Sequence, residues 1–137
     1  MGILDKIFGT KKKNSEIDFN QIGLDLSDSG KESIQKYISR TDKERMGDIM
    51  LLGDKADQNF FYLIYYSALF DSDMNVRFAA LKRLPNFQGN PNLDKLIDRL
   101  SQPSVGENLE PYYSMMLFRL GKITEDELNH KLNNGQE

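Results

Sequence analysis

Apolar residues recur at helical spacing from residue 29 almost to the end of the chain. Leu93, Leu96, Ile97 and Leu100 follow the i, i+3, i+4, i+7 pattern that defines one face of a helix. Comparable apolar stripes lie within residues 34–38, 46–50, 60–70, 76–84, 112–120 and 128–132. No pair of alternating segments suggests paired strands. The pattern therefore predicts seven helices and an all-α fold.

The ends of several helices are marked by capping residues. A Ser or Thr followed three positions later by Glu predicts a capping box, in which each side chain bonds the other residue's backbone N–H. The three such pairs are Ser29–Glu32, Thr41–Glu44 and Thr124–Glu127. Gly53 and Gly121 are placed to end helices in the left-handed conformation.

One predicted helix carries six of the fourteen aromatic residues and is apolar nearly all round. Such a helix should be central and buried. An alternative is an exposed aromatic surface for a ligand, but core packing is the favoured interpretation. The six residues are Phe60, Phe61, Tyr62, Tyr65, Tyr66 and Phe70.

The helices also repeat as pairs. Residues 40–42 (Arg-Thr-Asp) occupy the place of residues 72–74 (Ser-Asp-Met) 32 positions later, and Arg45 then falls on Arg77. A weaker third copy sets Leu120 on Leu84, 36 positions on. A hairpin of two helices leaves an apolar face open, so neighbouring hairpins must stack to cover it.

Small residues occur in the second helix of these pairs. Gly47 aligns with Ala79, and Ala80 follows it in the better-preserved copy. We expect all three to let helix axes approach closely.

The run from Asp71 to Leu84, DSDMNVRFAALKRL, resembles the turn and second helix of a HEAT or HEAT-like (armadillo-type) repeat. This resemblance implies a short α-solenoid of about three stacked antiparallel helical hairpins. It also implies that Asp71 or Asp73 is the turn aspartate and that Arg77 ties adjacent repeats together. The spacing would also suit tetratricopeptide or ankyrin repeats, but their signature residues are absent.

The chain divides into an amphipathic basic segment (1–13), a linker or docking segment (14–28) and a HEAT-like helical-repeat domain (29–133). In the first segment the apolar residues share a helical face and lysines follow. They could anchor the chain to a membrane or a partner, or the turn could dock on its own domain or stay mobile. These residues are Ile3, Leu4, Ile7, Phe8, Lys11, Lys12 and Lys13.

Composition narrows the function. The chain has no cysteine and one histidine, His130, which excludes thiol catalysis and thiolate metal sites. Residues 1–13 carry a net charge of +3 and the remainder −6, which argues against nucleic acid as a partner.

No apolar run approaches the roughly 20 residues of a membrane span, and the start is not a secretory signal. A cytoplasmic protein is expected.

The sequence Asp71-x-Asp73-x-Asn75 copies the start of a calcium-binding loop. Val76 stands where the loop needs glycine, and Lys82 where it needs a bidentate glutamate. Capping and turn formation explain the same residues. We expect no metal, no cofactor and no enzymatic activity.

The leading hypothesis is a protein-interaction module, a small adaptor or inhibitor whose partner is another protein. Its contact face would be lined by the second helix of each pair, with Phe78 and Lys82 one turn apart and Tyr112 extending the surface. The second hypothesis is a peripheral membrane protein held by the N-terminal segment. The third is a HEAT-like nucleic-acid-binding or repair-related protein.

Overall fold

The structure is a computed structural model that describes residues 19–102 and 109–135. Within these ranges it contains seven α-helices, three short 3₁₀ helices and no strand, so the predicted all-α fold is confirmed. The α-helices are α1 (Asp28–Ser39), α2 (Asp42–Lys55), α3 (Phe61–Phe70), α4 (Met74–Arg83), α5 (Leu93–Leu100), α6 (Tyr112–Arg119) and α7 (Glu125–Gly135). The 3₁₀ helices are Phe19–Gln21, Gln58–Phe60 and Leu84–Phe87.

Helix α3 forms the centre of the core, as its aromatic, apolar sequence predicts. It packs against α1, α2, α4 and α5. Ile64, Tyr65 and Ala68 are fully buried. The Phe61 ring lies 5.0 Å from the ring of Phe87, which joins α3 to the 3₁₀ helix after α4. Favourable aromatic contact thus adds to the burial of apolar area.

Helix α4 is the second element on which the others converge. It contacts α2, α3 and α6, and α7 packs on α6 in turn. Its buried face carries Val76, Ala79, Ala80 and Leu81. The two alanines add little bulk there, in agreement with their predicted place at a helix contact.

Two of the three predicted capping boxes are confirmed. The Thr41 hydroxyl accepts from the Glu44 N–H at 3.1 Å while the Glu44 carboxylate accepts from the Thr41 N–H at 3.0 Å. The Thr124–Glu127 pair makes the same two bonds. The Ser29–Glu32 prediction is wrong, because α1 already begins at Asp28. Ser27 caps it instead by accepting from the Gly30 N–H at 3.1 Å.

Of the two predicted glycine termini, one is correct. Gly121 follows α6 with a φ of +75°, and its N–H bonds the Phe118 carbonyl at 2.9 Å. Helix α2 does not end at Gly53. It continues to Lys55, and Ala56 takes the left-handed conformation with a φ of 52°.

Gly53 instead permits the closest approach between α2 and α4. A Cβ built on Gly53 would lie 2.6 Å from Cδ and 2.7 Å from Cβ of Arg83. A Cβ on Gly47 would have nothing within 4 Å, so the prediction that Gly47 brings helix axes together is wrong. Gly47 lies two positions from the buried Ile49, and each helical residue turns the side chain by about 100°, so Gly47 faces away from the contact.

Residues 19–27, part of the predicted linker or docking segment, lie against the helices. Ile22 is buried in the core. Arg99 of α5 donates to the carbonyl oxygens of Ile22 and Gln21, and the Lys95 ammonium donates to the Gly23 carbonyl. The segment is thus held both by an apolar side chain and by its backbone. Residues 14–18 lie outside the described residues.

The contact between α2 and α4 predicts opposite effects for two glycine substitutions. Gly53→Ala forces the added methyl group against Arg83 and should lower the free energy of unfolding by about 1–3 kcal/mol. Gly47→Ala adds a methyl group in open space and should raise it by up to about 1 kcal/mol, because alanine is the better helix former. Urea denaturation followed by circular dichroism measures both. Equal midpoints for the two variants would contradict the close approach at Gly53.

Candidate partner-binding surface

The side of α4 that faces away from its fully buried residues carries Phe78 and Lys82. The helix is fixed at its start by Asp73, whose carboxylate accepts from the N–H groups of Asn75 and Val76 at 2.8 and 3.2 Å. With Val76 and Ala80 buried, helical geometry turns Phe78 and Lys82 outward. Phe78 is half-buried and Lys82 is exposed.

Tyr112, at the start of α6, completes a cluster with these two residues. Its ring centre lies 4.4 Å from that of Phe78, with the planes inclined by 32°. The Lys82 ammonium lies 4.9 Å from the centre of the Tyr112 ring, within the range of a cation–π interaction. The structure therefore brings the three sequence-predicted contact residues together across the junction of α4 and α6.

Two further residues of α6 belong to the same side and were missed from the sequence. Met115 is 43% exposed one turn after Tyr112, and Arg119 donates from Nη1 to the Lys82 carbonyl at 2.6 Å. The sequence assigned residues 112–120 to one apolar stripe, but of the two methionines only Met116 is buried. The spacing Tyr112, Met115, Arg119 could have revealed this outer face, since it follows i, i+3, i+7.

These five residues form what we call the α4–α6 surface, which combines apolar area with positive charge. The aromatic pair and Met115 offer apolar area, while Lys82 and Arg119 add two cations at its edge. Cations in the last turns of α4 and α6 are also favoured by the helix dipoles. The arrangement suits an apolar side chain flanked by carboxylates.

The other predicted residues lie in a different place, around the buried carboxylate of Asp71. Arg45 of α2 binds both of its oxygens, with Nε at 3.0 Å and Nη2 at 3.1 Å. The Tyr37 hydroxyl of α1 donates to it at 2.5 Å, and the Asp73 N–H donates at 2.9 Å. Four donors from three parts of the chain thus satisfy one carboxylate.

Burial and this carboxylate perturb the groups around it. Burial first, and then the hydrogen bond to Asp71, raise the pKa of the Tyr37 hydroxyl well above its usual value. The hydrogen bond to Asp71 raises the pKa of Arg45. Burial raises the pKa of Tyr66, and the charge of Asp71 adds to that effect. The cluster therefore keeps its tyrosines neutral and its arginine charged.

Arg45 and Arg77, which the repeat alignment places at equivalent positions, both bond across helices. Arg77 donates from Nε to the Ala68 carbonyl at 2.9 Å, a bond between α4 and its own partner helix α3. Arg45 bonds α2 to the turn before α4, where its guanidinium reaches Asp71. The repeat alignment contained this signal, because it sets Arg45 in the place of Arg77.

The aspartates of the calcium-like sequence already bond other parts of the protein. Asp71 binds Arg45 and Tyr37, and Asp73 caps α4. Across residues 19–102 and 109–135, no group of three or more His, Cys, Asp or Glu side chains is arranged to hold a metal ion.

The predicted membrane or partner anchor falls outside the described residues. Its members are Ile3, Leu4, Ile7, Phe8, Lys11, Lys12 and Lys13. In the part of the chain that the structure describes, every helix is too short or too polar to cross a bilayer.

Comparison of the chain with protein-family models, with curated proteins and with solved structures gave no match. The likeness to HEAT repeats therefore rests on the residues between Phe60 and Leu84.

The buried ion pair and an exposed one predict unequal losses of stability. Asp71→Ala leaves Arg45 and the Tyr37 hydroxyl without their acceptor in a site where the Asp71 side chain is 1% exposed, and should cost about 3 kcal/mol or more. Asp48→Ala breaks the 2.8 Å pair with Arg40 at the surface and should cost about 0–1 kcal/mol. Chemical denaturation measures both variants. A similar loss for the two would contradict a stabilising role of the Asp71 cluster.

The raised pKa of Tyr37 predicts a loss of stability at high pH. The unfolded chain releases the phenol proton near pH 10 while the folded protein retains it. The contribution of Tyr37 is therefore complete below about pH 10 and is lost above it, by about 1.4 kcal/mol per pH unit. In Tyr37→Phe the free energy of unfolding should decline less steeply between about pH 9.5 and 11. An unchanged slope in pH-dependent urea titrations would show that Tyr37 is not the group responsible.

Proposed function

We propose that this protein is a non-enzymatic protein-interaction module, a small adaptor or inhibitor built on a short α-solenoid of about three antiparallel helical hairpins. The hairpins are α1–α2, α3–α4 and α5–α6, and α7 follows the last of them. The partner is another protein, which binds the side formed by the second helices.

Three observations support the solenoid. The first helices are neighbours in chain order, since α1 contacts α3 and α3 contacts α5. The second helices are neighbours too, since α2 contacts α4 and α4 contacts α6. In addition, the N-cap residues Thr41 and Asp73 begin α2 and α4 at the 32-residue spacing of the sequence repeat.

The observation that carries the binding role is the Tyr112 ring held between Phe78 and Lys82. Aromatic residues and arginine are enriched among the residues that dominate binding energy in protein interfaces. On the α4–α6 surface they lie next to one another on two packed helices. A contact site on rigid elements loses little conformational entropy when a partner binds.

The test begins with affinity capture from the native host and mass spectrometry, and then measures the dissociation constant of the purified partner. Lys82→Glu removes the cation above Tyr112 without burying anything and should weaken binding by about tenfold or more, or about 1.4 kcal/mol. Phe78→Ala should weaken it comparably, provided that its circular dichroism spectrum and melting temperature remain those of a folded protein.

The matched controls carry the same changes elsewhere. Lys55→Glu reverses a charge in the last turn of α2, and Phe60→Ala removes an exposed ring before α3. Both should retain the wild-type affinity within about twofold, which is within 0.4 kcal/mol. A partner that binds Lys82→Glu and Phe78→Ala as tightly as the wild type would overturn the assignment of the α4–α6 surface.

A further inference from the structure

An apolar groove lies between α1 and α2, on the far side of the first hairpin. Leu52 and Leu63 line its base, and Leu51 stands at its edge with 56% of its surface exposed. Lys36 and Arg40 of α1 form the opposite wall, and the groove has a volume of about 300 Å³. An exposed leucine beside an apolar groove is a site that another apolar group can cover.

The two ends of the helix array differ in how they are covered. At the C-terminal end α7 packs on α6, with Leu128 and Leu132 half-buried and with exposed carboxylates on its first turn. At the other end, no described residue covers the α1–α2 groove as α7 covers α6. Repeat arrays need terminal units with a polar outer face.

The sequence contains a segment with the properties of such a cover. Ile3, Leu4, Ile7 and Phe8 share one helical face, and Asp5 and Lys6 lie between them. Ile3 and Ile7 have the same i, i+4 spacing as Leu128 and Leu132. A short amphipathic segment in an apolar groove is a common mode of recognition.

The connection to the described chain is long enough. Phe19 lies next to α1, with its ring centre 5.7 Å from the ammonium group of Lys31. Helix α1 also provides one wall of the groove. Residues 9–18 can span about 30 Å when extended, whereas a helix of the length of α1 measures about 18 Å. The segment can therefore reach any point along α1.

Charge gives the segment a preferred end of the groove. Lys11, Lys12 and Lys13 follow the apolar residues. At the Arg40 end of the groove, the first turn of α2 presents the exposed carboxylates of Asp42 and Glu44. The lysines can lie near these carboxylates while the apolar side chains enter the groove.

We propose that residues 3–8 bind the α1–α2 groove of their own chain and cover the first hairpin as α7 covers the last. The inference rests on the stacked hairpins proposed above but not on the partner-binding role of the α4–α6 surface. The groove would bind the same apolar side chains that a membrane anchor would insert into lipid. Binding to the groove and binding to lipid therefore exclude each other.

The absence of cysteine permits a direct test in the full chain. A nitroxide is attached to the Lys36→Cys variant in the groove wall or, as the control, to the Asp126→Cys variant on α7. The readout is paramagnetic broadening of the backbone amide signals of residues 3–8. We expect strong broadening with the label at position 36 and little with the label at position 126. Equal broadening from both labels, or none from position 36, overturns the proposal.

A second pair of substitutions tests the groove itself. Leu51→Asp places a charge at the edge of the groove and should abolish the broadening from position 36. Met50→Asp is the matched control, because Met50 is 41% exposed beside it but does not line the groove. It should leave the broadening intact. Neither side chain is buried, so both variants should fold, and Leu51→Asp leaves the α4–α6 surface unchanged for partner-binding measurements.

Two other occupants of the groove are distinguished in the same samples. Broadening that also appears when isotope-labelled chains are mixed with spin-labelled, unlabelled chains would place a second copy in the groove and overturn the proposal. So would the absence of broadening together with loss of the residue 3–8 signals when anionic phospholipid vesicles are added, because the segment would then bind lipid.

Discussion

The carboxylate of Asp71 is the point on which the placement of α1 and α2 against the α3–α4 pair depends. It lies in the turn between α3 and α4, and it is reached by Tyr37 from α1 and by Arg45 from α2. A buried charge is tolerated only when donors satisfy it, so α1 and α2 must bring these side chains to one place. The turn between α3 and α4 thereby fixes the two helices that precede it.

A second contact, between α2 and the end of α4, depends on the absence of a side chain. Gly53 lets Arg83 lie directly against α2, where Arg83 also pairs with Asp54 at 3.1 Å. The Asn86 amide donates to the Gly53 carbonyl at 3.0 Å. Asp71 thus secures the start of α4 and Gly53 its end. With α4 held at both ends, Phe78 and Lys82 face outward beside α6, where Tyr112 joins them.

The pattern of apolar residues predicted the helices and the burial of α3 correctly, and the spacing of Thr and Glu predicted two capping boxes correctly. These features depend on residues within one helix or one turn, where spacing and hydrogen bonding are local. The errors concern Ser29, Gly47 and Gly53. The role of Ser29 depends on which residue begins the helix, and the roles of the two glycines depend on the residues of the neighbouring helix. A short sequence pattern contains neither kind of information.

The sequence by itself determined the seven α-helices of residues 19–102 and 109–135, the central position of α3 and the pairing of Phe78 with Lys82 on one face. Helical periodicity is sufficient for these, because residues one turn apart share a side. Only the tertiary structure decided that Arg45 of α2 reaches Asp71 before α4, and that Tyr112 stacks on Phe78. Such contacts join residues 26 to 34 positions apart, and their geometry is set by how helices pack.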